Sequence, residues 1–580
     1  MIDASGPQVH IDLRAASAHL VQVEIRLRPR QQTLRLALPA WTPGSYLIRD
    51  YVRQLEGLQL EQAGRSLPLR RMDVAAWQAE LPDQEPLTLR YRLLAPELTV
   101  RTSHLDADHG FLCLAAVVLA VEGERWQPHH LSLALPDGWQ AFLTLPQEAG
   151  GGWTARDFDQ LIDTPIEVGP HGAHRFAVGE VGHRWVSWGV TLAGVDPMEG
   201  DPDLLRDVQR VCQACCRLMG ERSPAADDYL FILHLTDNGY GGLEHDRSSV
   251  LQYGRRRLIK PDGRRKLLQL VAHEYLHQWN VRRLRPAELT PYAYDRPTIV
   301  PTLWFAEGVT SYFDQFLPLT AGCSSEADLF EDLGMELSRY LQSPGRAVQS
   351  LVGSAEEAWV KLYKADAYAI SSQVSYYLKG AVLSLVLDLH LRRHGSSLPA
   401  VLRLLWQRFG RLGRGYRHTD LLAAFCAGAA DLQHLLPQWL NGHEDPDFAD
   451  YLADMGLTLN PQMACEPWLG WQVEAAAGGG LQLQRVLRDG PAEQAGLMVG
   501  DELVAVAGWR LQRQEDLAPL LAAHAGATLL PVVTARDGRL RHQELRPAPP
   551  RVERWRLEPV AGAAPSVLER RRQWLALEVA

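Results

Sequence analysis

The chain has 580 residues, too many for a single hydrophobic core, so about two to four domains are expected. At 46% hydrophobic and 22% charged residues, with no low-complexity tract, the composition excludes disordered and fibrous classes. A net charge of -10 excludes the basic footprint of a nucleic-acid or acidic-membrane binder, so neither is expected as a partner.

In chain order, the N-terminal segment MIDASGPQVHIDL lacks a basic n-region and an apolar h-region, and no later run approaches the roughly 20 apolar residues of a membrane span. Seven cysteines, an odd number, fit a reducing compartment, and the expected location is cytoplasmic. Residues 1–185 are expected to be β-rich: VQVEIRL, TLRLAL, LTLRYRLL and HLSLAL alternate apolar and polar residues between Pro/Gly turns. The turn Trp41-Thr42-Pro43-Gly44-Ser45-Tyr46 reads as a packed loop or a substrate contact. Residues 186–455 change texture. Cys212, Cys215 and Cys216 fall on the apolar stripe of a helix with Leu204, Leu205, Val208 and Met219 and read as small core residues. The strand YLFILHLTD then leads into Gly239-Tyr240-Gly241-Gly242-Leu243-Glu244-His245. The short basic clusters Arg255–Arg257 and Arg264–Lys266 read as a solvated face.

The run LLQLVAHEYLHQWN follows, with Pro261-Asp262-Gly263 as its start signal. Residues four apart share a helix face, so His273 and His277 can grip one metal ion. Glu274 can then reach a water on that metal, and the chemistry implied is metal-assisted peptide hydrolysis. Leu267, Leu268, Leu270 and Val271 indicate a buried helix, in which two histidines and a glutamate need a partner. A third ligand is required. Glu307, in the apolar run Leu303-Trp304-Phe305-Ala306-Glu307-Gly308, is favoured over Glu288 and Asp295, which sit in a proline-broken segment. An oxyanion donor is also required, and Tyr376 and Tyr377 are both candidates. SSQVSYYLKGAVLSLVLDLHLRRHG and LPAVLRLLWQRFG have clear helical spacing.

Residues 456–550 form a separate unit with strand-like LQLQRVL and DELVAVAG, a short helix QEDLAPLLAAHA, and a hairpin turning at Asp537-Gly538. Through GPAEQAGLMVGDELVAVAG it resembles a PDZ domain, which implies that Leu469-Gly470-Trp471 lies where a peptide C-terminus binds. The tail, 551–580, contains SVLERRRQWLAL and is expected to be helical and to pack back on the body.

His273–His277 with Glu307 in WFAEG resembles the gluzincin class of zinc peptidases, and Gly241–His245 and Tyr377–Gly380 resemble the G-x-M-E-N and Y-E-K-G segments of the aminopeptidase N group. WTPGSYLIRDY, GGLEH, HEYLHQWNVRRLRP, WFAEGVTSYF and SYYLKG together resemble the glycyl aminopeptidase family over nearly the whole chain. The resemblance implies a multidomain α+β fold: a β-rich N-terminal domain, a thermolysin-like α/β catalytic domain with a helical second half, and a C-terminal PDZ domain. It implies one catalytic zinc ion on His273, His277 and Glu307, with Glu274 as general base and Tyr377 as oxyanion donor. Glu244 would pair with the substrate's α-ammonium, and Gly241 and Gly242 would admit its backbone. The implied activity is removal of N-terminal residues, small ones such as Gly or Ala, from peptides. The alternatives are a PDZ-recruited zinc endopeptidase and a non-catalytic PDZ binding protein. Two departures stand out: His245 replaces the asparagine after the aminopeptidase N group's anchoring glutamate, which implies different substrate handling near the amine, and Ala306 replaces the asparagine before the third ligand, so the partner orienting a ligand imidazole must come from elsewhere.

Overall fold

A computed structural model describes residues 6–476 and 479–579. The chain divides into two compact units, the first comprising residues 1–300, 316–324 and 399–424, the second 301–315, 325–398 and 425–580.

The first unit begins with three sheets. In the seven-stranded one, Leu20–Leu27 pairs with Leu87–Leu94 in a register that sets Val23 opposite Tyr91 and Ile25 opposite Leu89. Val21, Val23, Ile25 and Leu27 are buried while Gln22 and Arg26 are exposed, the period-2 pattern that the sequence shows. Thr33–Ala37 joins a different, four-stranded sheet, a separation that local alternation does not reveal. The third sheet contains the hairpin His104–Leu105 and Gly110–Leu112, paired to Ile166–Gly169.

The sheet that matters for function has five strands, β1 (Ala173–Val178), β2 (Val181–Trp188), β3 (Tyr229–Thr236), β4 (Tyr240–Glu244) and β5 (Ser248–Gly254), in the order β1-β2-β3-β5-β4. β3 runs parallel to β2 and β5 and is buried on both faces, which explains its unbroken apolar run. β4 is antiparallel to β5 and forms the sheet edge. The hairpin β1–β2 lies across and before the boundary expected at 185/186, because β2 pairs with β3 some forty residues later (Trp185 opposite Phe231). Helix α1 (Leu204–Met219) buries Cys212, Cys215 and Cys216. Burial pushes the Cys216 thiol up to about 12 and the other two well above the usual range, so these are uncharged core residues. Helix α2 (Gly263–Leu276) carries the two-histidine motif and starts at a glycine, where a Cβ would sit 2.1 Å from the Arg257 carbonyl oxygen. The basic clusters before it are partly engaged: Arg264 pairs with Asp201 and Asp207, and Arg257 lies over the Tyr240 ring.

The second unit is helical, with an appended β module. A π-helical turn (Trp304–Gly308) leads into α3 (Val309–Thr320). Helix α4 (Glu326–Leu341) starts at a Ser325/Asp328 capping box, and α5 (Tyr376–Arg393) at a Ser375 cap. Contrary to the expectation from the sequence, the segment Ala369–Arg393 is long and apolar enough to span a membrane, but 83% of its most apolar window is buried inside the protein, as in a core helix. Strands β6 (Leu457–Met463) and β7 (Val552–Pro559) pair antiparallel. Between them, residues 471–545 form a separate antiparallel sheet cored by Leu481, Leu483, Leu503, Val506 and Val532. The tail is therefore not helical throughout: β7 comes first, laid on α4 where the Trp555 N–H donates to Ser338 Oγ at 2.8 Å, and α6 (Pro565–Leu575) follows. Trp574 of α6 is fully buried; its indole N–H donates to Tyr312 Oη (2.9 Å), which donates to Asp388 Oδ2 (2.8 Å).

Candidate active site

In the first unit, α2 is mostly buried from Leu267 onward, so Glu274 (5% exposed) and His277 (1%) are carried into the core by its leucines. The rings of His273 and His277 lie edge-on, centroids 4.6 Å apart. His277 Nδ1 is 2.6 Å from the main-chain oxygen of Asn280. A carbonyl only accepts, so Nδ1 bears the hydrogen and Nε2 keeps its lone pair for a metal. This is the orienting partner that the sequence left unnamed, and no side chain encodes it.

Strand β4 brings two carboxylates to the same place: one ligand-type atom each from Glu244, Glu274 and His277 lie within 4.8 Å of one another. The Glu274 carboxylate fills the space over Gly242, where an ideal Cβ would be 2.1 Å from Oε1. Gly241, at φ +152°, has nothing within 4 Å of a notional Cβ and forms an open stretch of the edge. The Gly242 carbonyl is already taken by the Arg101 guanidinium at 3.2 Å.

Glu244 is 3% exposed, and its Oε1 has no hydrogen-bond partner among the described residues. The turn Trp41–Tyr46 walls it in: a Cβ on Gly44 would lie 2.5 and 2.6 Å from the two carboxylate oxygens. The turn is packed, with Trp41 buried and its indole N–H given to the Ala293 carbonyl. His245 Nδ1 is 3.2 Å from Asp163, which also accepts from the buried Arg282 (2.7 Å). Burial alone would lower the Arg282 pKa, but Asp163 and Asp246 outweigh it and keep the guanidinium charged. The His245 departure thus belongs to an ionic network beside the glutamate.

The second unit places Glu307, 2% exposed, in the π turn. That turn crosses α5 at a glycine pair: a Cβ on Gly308 would lie 2.5 Å from Gly380 Cα. The crossing sets Tyr377 in the field of Glu307. Burial, then that negative charge, holds the Tyr377 pKa well above its usual value, so the hydroxyl stays protonated. Tyr376 is fully buried and stacked on Tyr377, whereas Tyr377 is partly exposed. Tyr363 Oη lies 3.0 Å from Tyr377 Oη. Sequence reading missed Tyr363, which sits in a single 3-10 turn (Leu362–Lys364), too short to show a period.

Family models match three stretches: the "Peptidase M61 N-terminal domain" over residues 8–170, the "M61 glycyl aminopeptidase" over 266–383 and a PDZ domain over 484–534. A solved structure of an aminopeptidase N family protein from Idiomarina loihiensis superposes with a TM-score of 0.91 at 28% identity, covering 98% of this chain and 100% of its own. The chain carries the domains of the M61 glycyl aminopeptidase family.

This metallopeptidase also resembles, at 15% identity and a TM-score of 0.48, an M1 zinc metallopeptidase from Deinococcus radiodurans, over 77% of this chain and 95% of that one. Yeast LTA4 hydrolase stands at 12% and 0.48, over 78% and 70%. Neither is close enough to add to the argument. Among curated proteins none matches. The N-terminal family match ends at residue 170, just before β1, in keeping with the β1–β2 hairpin belonging to the five-stranded sheet. The donors fit a metal of the zinc class: two imidazoles, one with its Nδ1 hydrogen committed to a carbonyl, and a buried carboxylate on the family's matched stretch.

Proposed function

We propose that this metallopeptidase is a zinc aminopeptidase that releases single N-terminal residues from peptides. The observation that carries the reading is Glu244, a buried carboxylate with one unpartnered oxygen, beside Glu274 and His277 and next to the open edge at Gly241. A buried carboxylate oxygen without a hydrogen-bond donor is costly, and a substrate α-ammonium is its complement.

His273, His277 and Glu307 would hold the zinc ion, which when bound supplies a Lewis acid and brings the pKa of a coordinated water to about 7. Glu274 accepts a proton from the attacking water and returns it to the leaving amine. Tyr377, held protonated, donates to the developing oxyanion. Gly241 lets the peptide backbone lie along β4. With the ammonium anchored at Glu244, the bond one residue away is the one presented to the base. The family's description as glycyl aminopeptidase supports small first residues such as Gly or Ala. The PDZ domain would accept a peptide C-terminus as a strand added at Trp471–Ala475, one of the two end strands of its sheet.

Steady-state kinetics on Gly- and Ala-p-nitroanilide test the anchor. Glu244→Gln is expected to lose about 10²–10³-fold in kcat/KM with zinc content unchanged, as expected for a deleted buried ionic partner. Activity within about twofold of wild type would remove Glu244 from the mechanism.

A further inference from the structure

A second set of metal-type donors, sharing no residue with the catalytic ligand set, lies on the hairpin His104–Leu105 and Gly110–Leu112 of the first unit. We propose that His104, Asp106 and His109 bind a structural divalent cation of the zinc class, with Glu167 orienting His109. One ligand-type atom from each of the three lies within 4.8 Å of the others, and the His104 and His109 ring centroids are 5.1 Å apart.

The hydrogen-bond pattern decides which atoms are available. Asp106 Oδ1 accepts the main-chain N–H groups of Asp108 (2.8 Å) and His109 (3.0 Å), which fixes the carboxylate with Oδ2 3.1 Å from His104 Nε2. His104 Nδ1 faces the Pro96 carbonyl oxygen at 3.3 Å. A carbonyl only accepts, so Nδ1 carries the hydrogen and Nε2 turns a lone pair toward a carboxylate oxygen. Two lone pairs at that distance need a cation between them, either a proton or a metal ion.

His109 repeats the pattern. Its Nδ1 lies 2.9 Å from Glu167 Oε1, and its Nε2 is buried without a hydrogen-bond partner among the described residues, in a side chain that is 0% exposed. Glu167 holds His109 Nδ1 with one oxygen and His234 Nε2 with the other (2.9 Å), and a carboxylate accepts, so His109 Nδ1 is the donor. Both imidazoles therefore offer Nε2 while an oxygen holds Nδ1, the arrangement by which proteins orient metal-bound histidines. Two nitrogens and one carboxylate suit zinc and its first-row neighbours and disfavour magnesium and calcium, which prefer all-oxygen shells. The His104 and Asp106 side chains are 13% and 28% exposed, which gives an ion a route in. Glu167 also bonds His234 of β3 (2.9 Å), so the ion would pin the hairpin to the central sheet.

The site is independent of the catalytic ligands, and metal counting on the full-length chain separates the two. After equilibration with zinc and removal of loose metal, wild type is expected to hold about two equivalents, Asp106→Asn and His273→Ala about one each, and the double variant none. His104→Ala, at a partly exposed position, is a second test should Asp106→Asn misfold. EDTA should lower the melting temperature of His273→Ala but not of the double variant. A wild type with one equivalent, lost in His273→Ala and retained in His104→Ala, would overturn the second site and assign the hairpin a proton-bridged pair. One equivalent lost in His104→Ala but retained in His273→Ala would uphold it while overturning the catalytic ligand set.

Discussion

Gly242 has no side chain because Glu274 needs the room. Gly242→Ala would push a methyl group into the general base, and it is expected to cost about 10²–10⁴-fold in kcat, the worth of general-base catalysis, with zinc content unchanged. Glu274→Gln should match that loss; a glycine variant that stays active while Glu274→Gln is dead would show that the carboxylate lies elsewhere in the working enzyme. A second residue-scale prediction concerns pH. Burial lowers the His183 pKa to about 4, and its Nε2 meets the Tyr275 hydroxyl at 2.9 Å. The unfolded chain takes up this proton near its ordinary value of about 6.5, so stability is retained above that pH and lost as pH falls toward the folded value. The full contribution is about 3 kcal/mol. Urea midpoints at pH 7 and pH 5 should differ more for wild type than for His183→Gln; equal differences would contradict the assignment. At this scale the side chains of the candidate site stand out in the sequence, because metal-assisted hydrolysis would restrict residue type and spacing: His273, Glu274, His277, Glu307 and Glu244 all lie in motifs. The Asn280 carbonyl was not legible, since every residue has one.

Among the elements, the crossing of the π turn over α5 holds Glu307 and Tyr377 in mutual range. Gly308→Ala must displace backbone at 2.5 Å, whereas a Cβ on Gly380 meets Gly308 Cα at 2.9 Å and the Trp304 carbonyl oxygen at 3.0 Å. Overpacking of this kind costs about 1–3 kcal/mol, and Gly308→Ala is expected to be the worse in both urea midpoint and kcat. Tyr363 belongs to the same arrangement: Tyr363→Phe removes the hydroxyl 3.0 Å from Tyr377 and should lower kcat by about 2–10-fold, the value of one hydrogen bond, with KM little changed. The amphipathic helices and most N-terminal strands were readable from periodicity because one face of each is buried, and α2 and α5 from their length and apolar content. The π turn, the recruitment of β1–β2 by β3 and the strand β7 were not. Each depends on a partner far away in the chain, such as Trp185 with Phe231 or Leu459 with Leu557.

For the molecule as a whole, the C-terminal segment is a structural component. Trp574 fills the core of the second unit and hydrogen-bonds Tyr312, five residues beyond Glu307. Trp574→Ala is expected to cost about 3–5 kcal/mol of stability, read as a lowered urea midpoint, and to reduce activity with it. The central claim is that this metallopeptidase works from a free N-terminus because Glu244 holds the ammonium. It is tested most directly by incubating the zinc-loaded enzyme with one short peptide beginning Gly-Ala, free or N-acetylated, and following the products by mass spectrometry. The account predicts stepwise release of single residues from the free peptide and about 10²-fold or slower cleavage of the acetylated one. Equal rates on both, or internal cuts in the acetylated peptide, would contradict it.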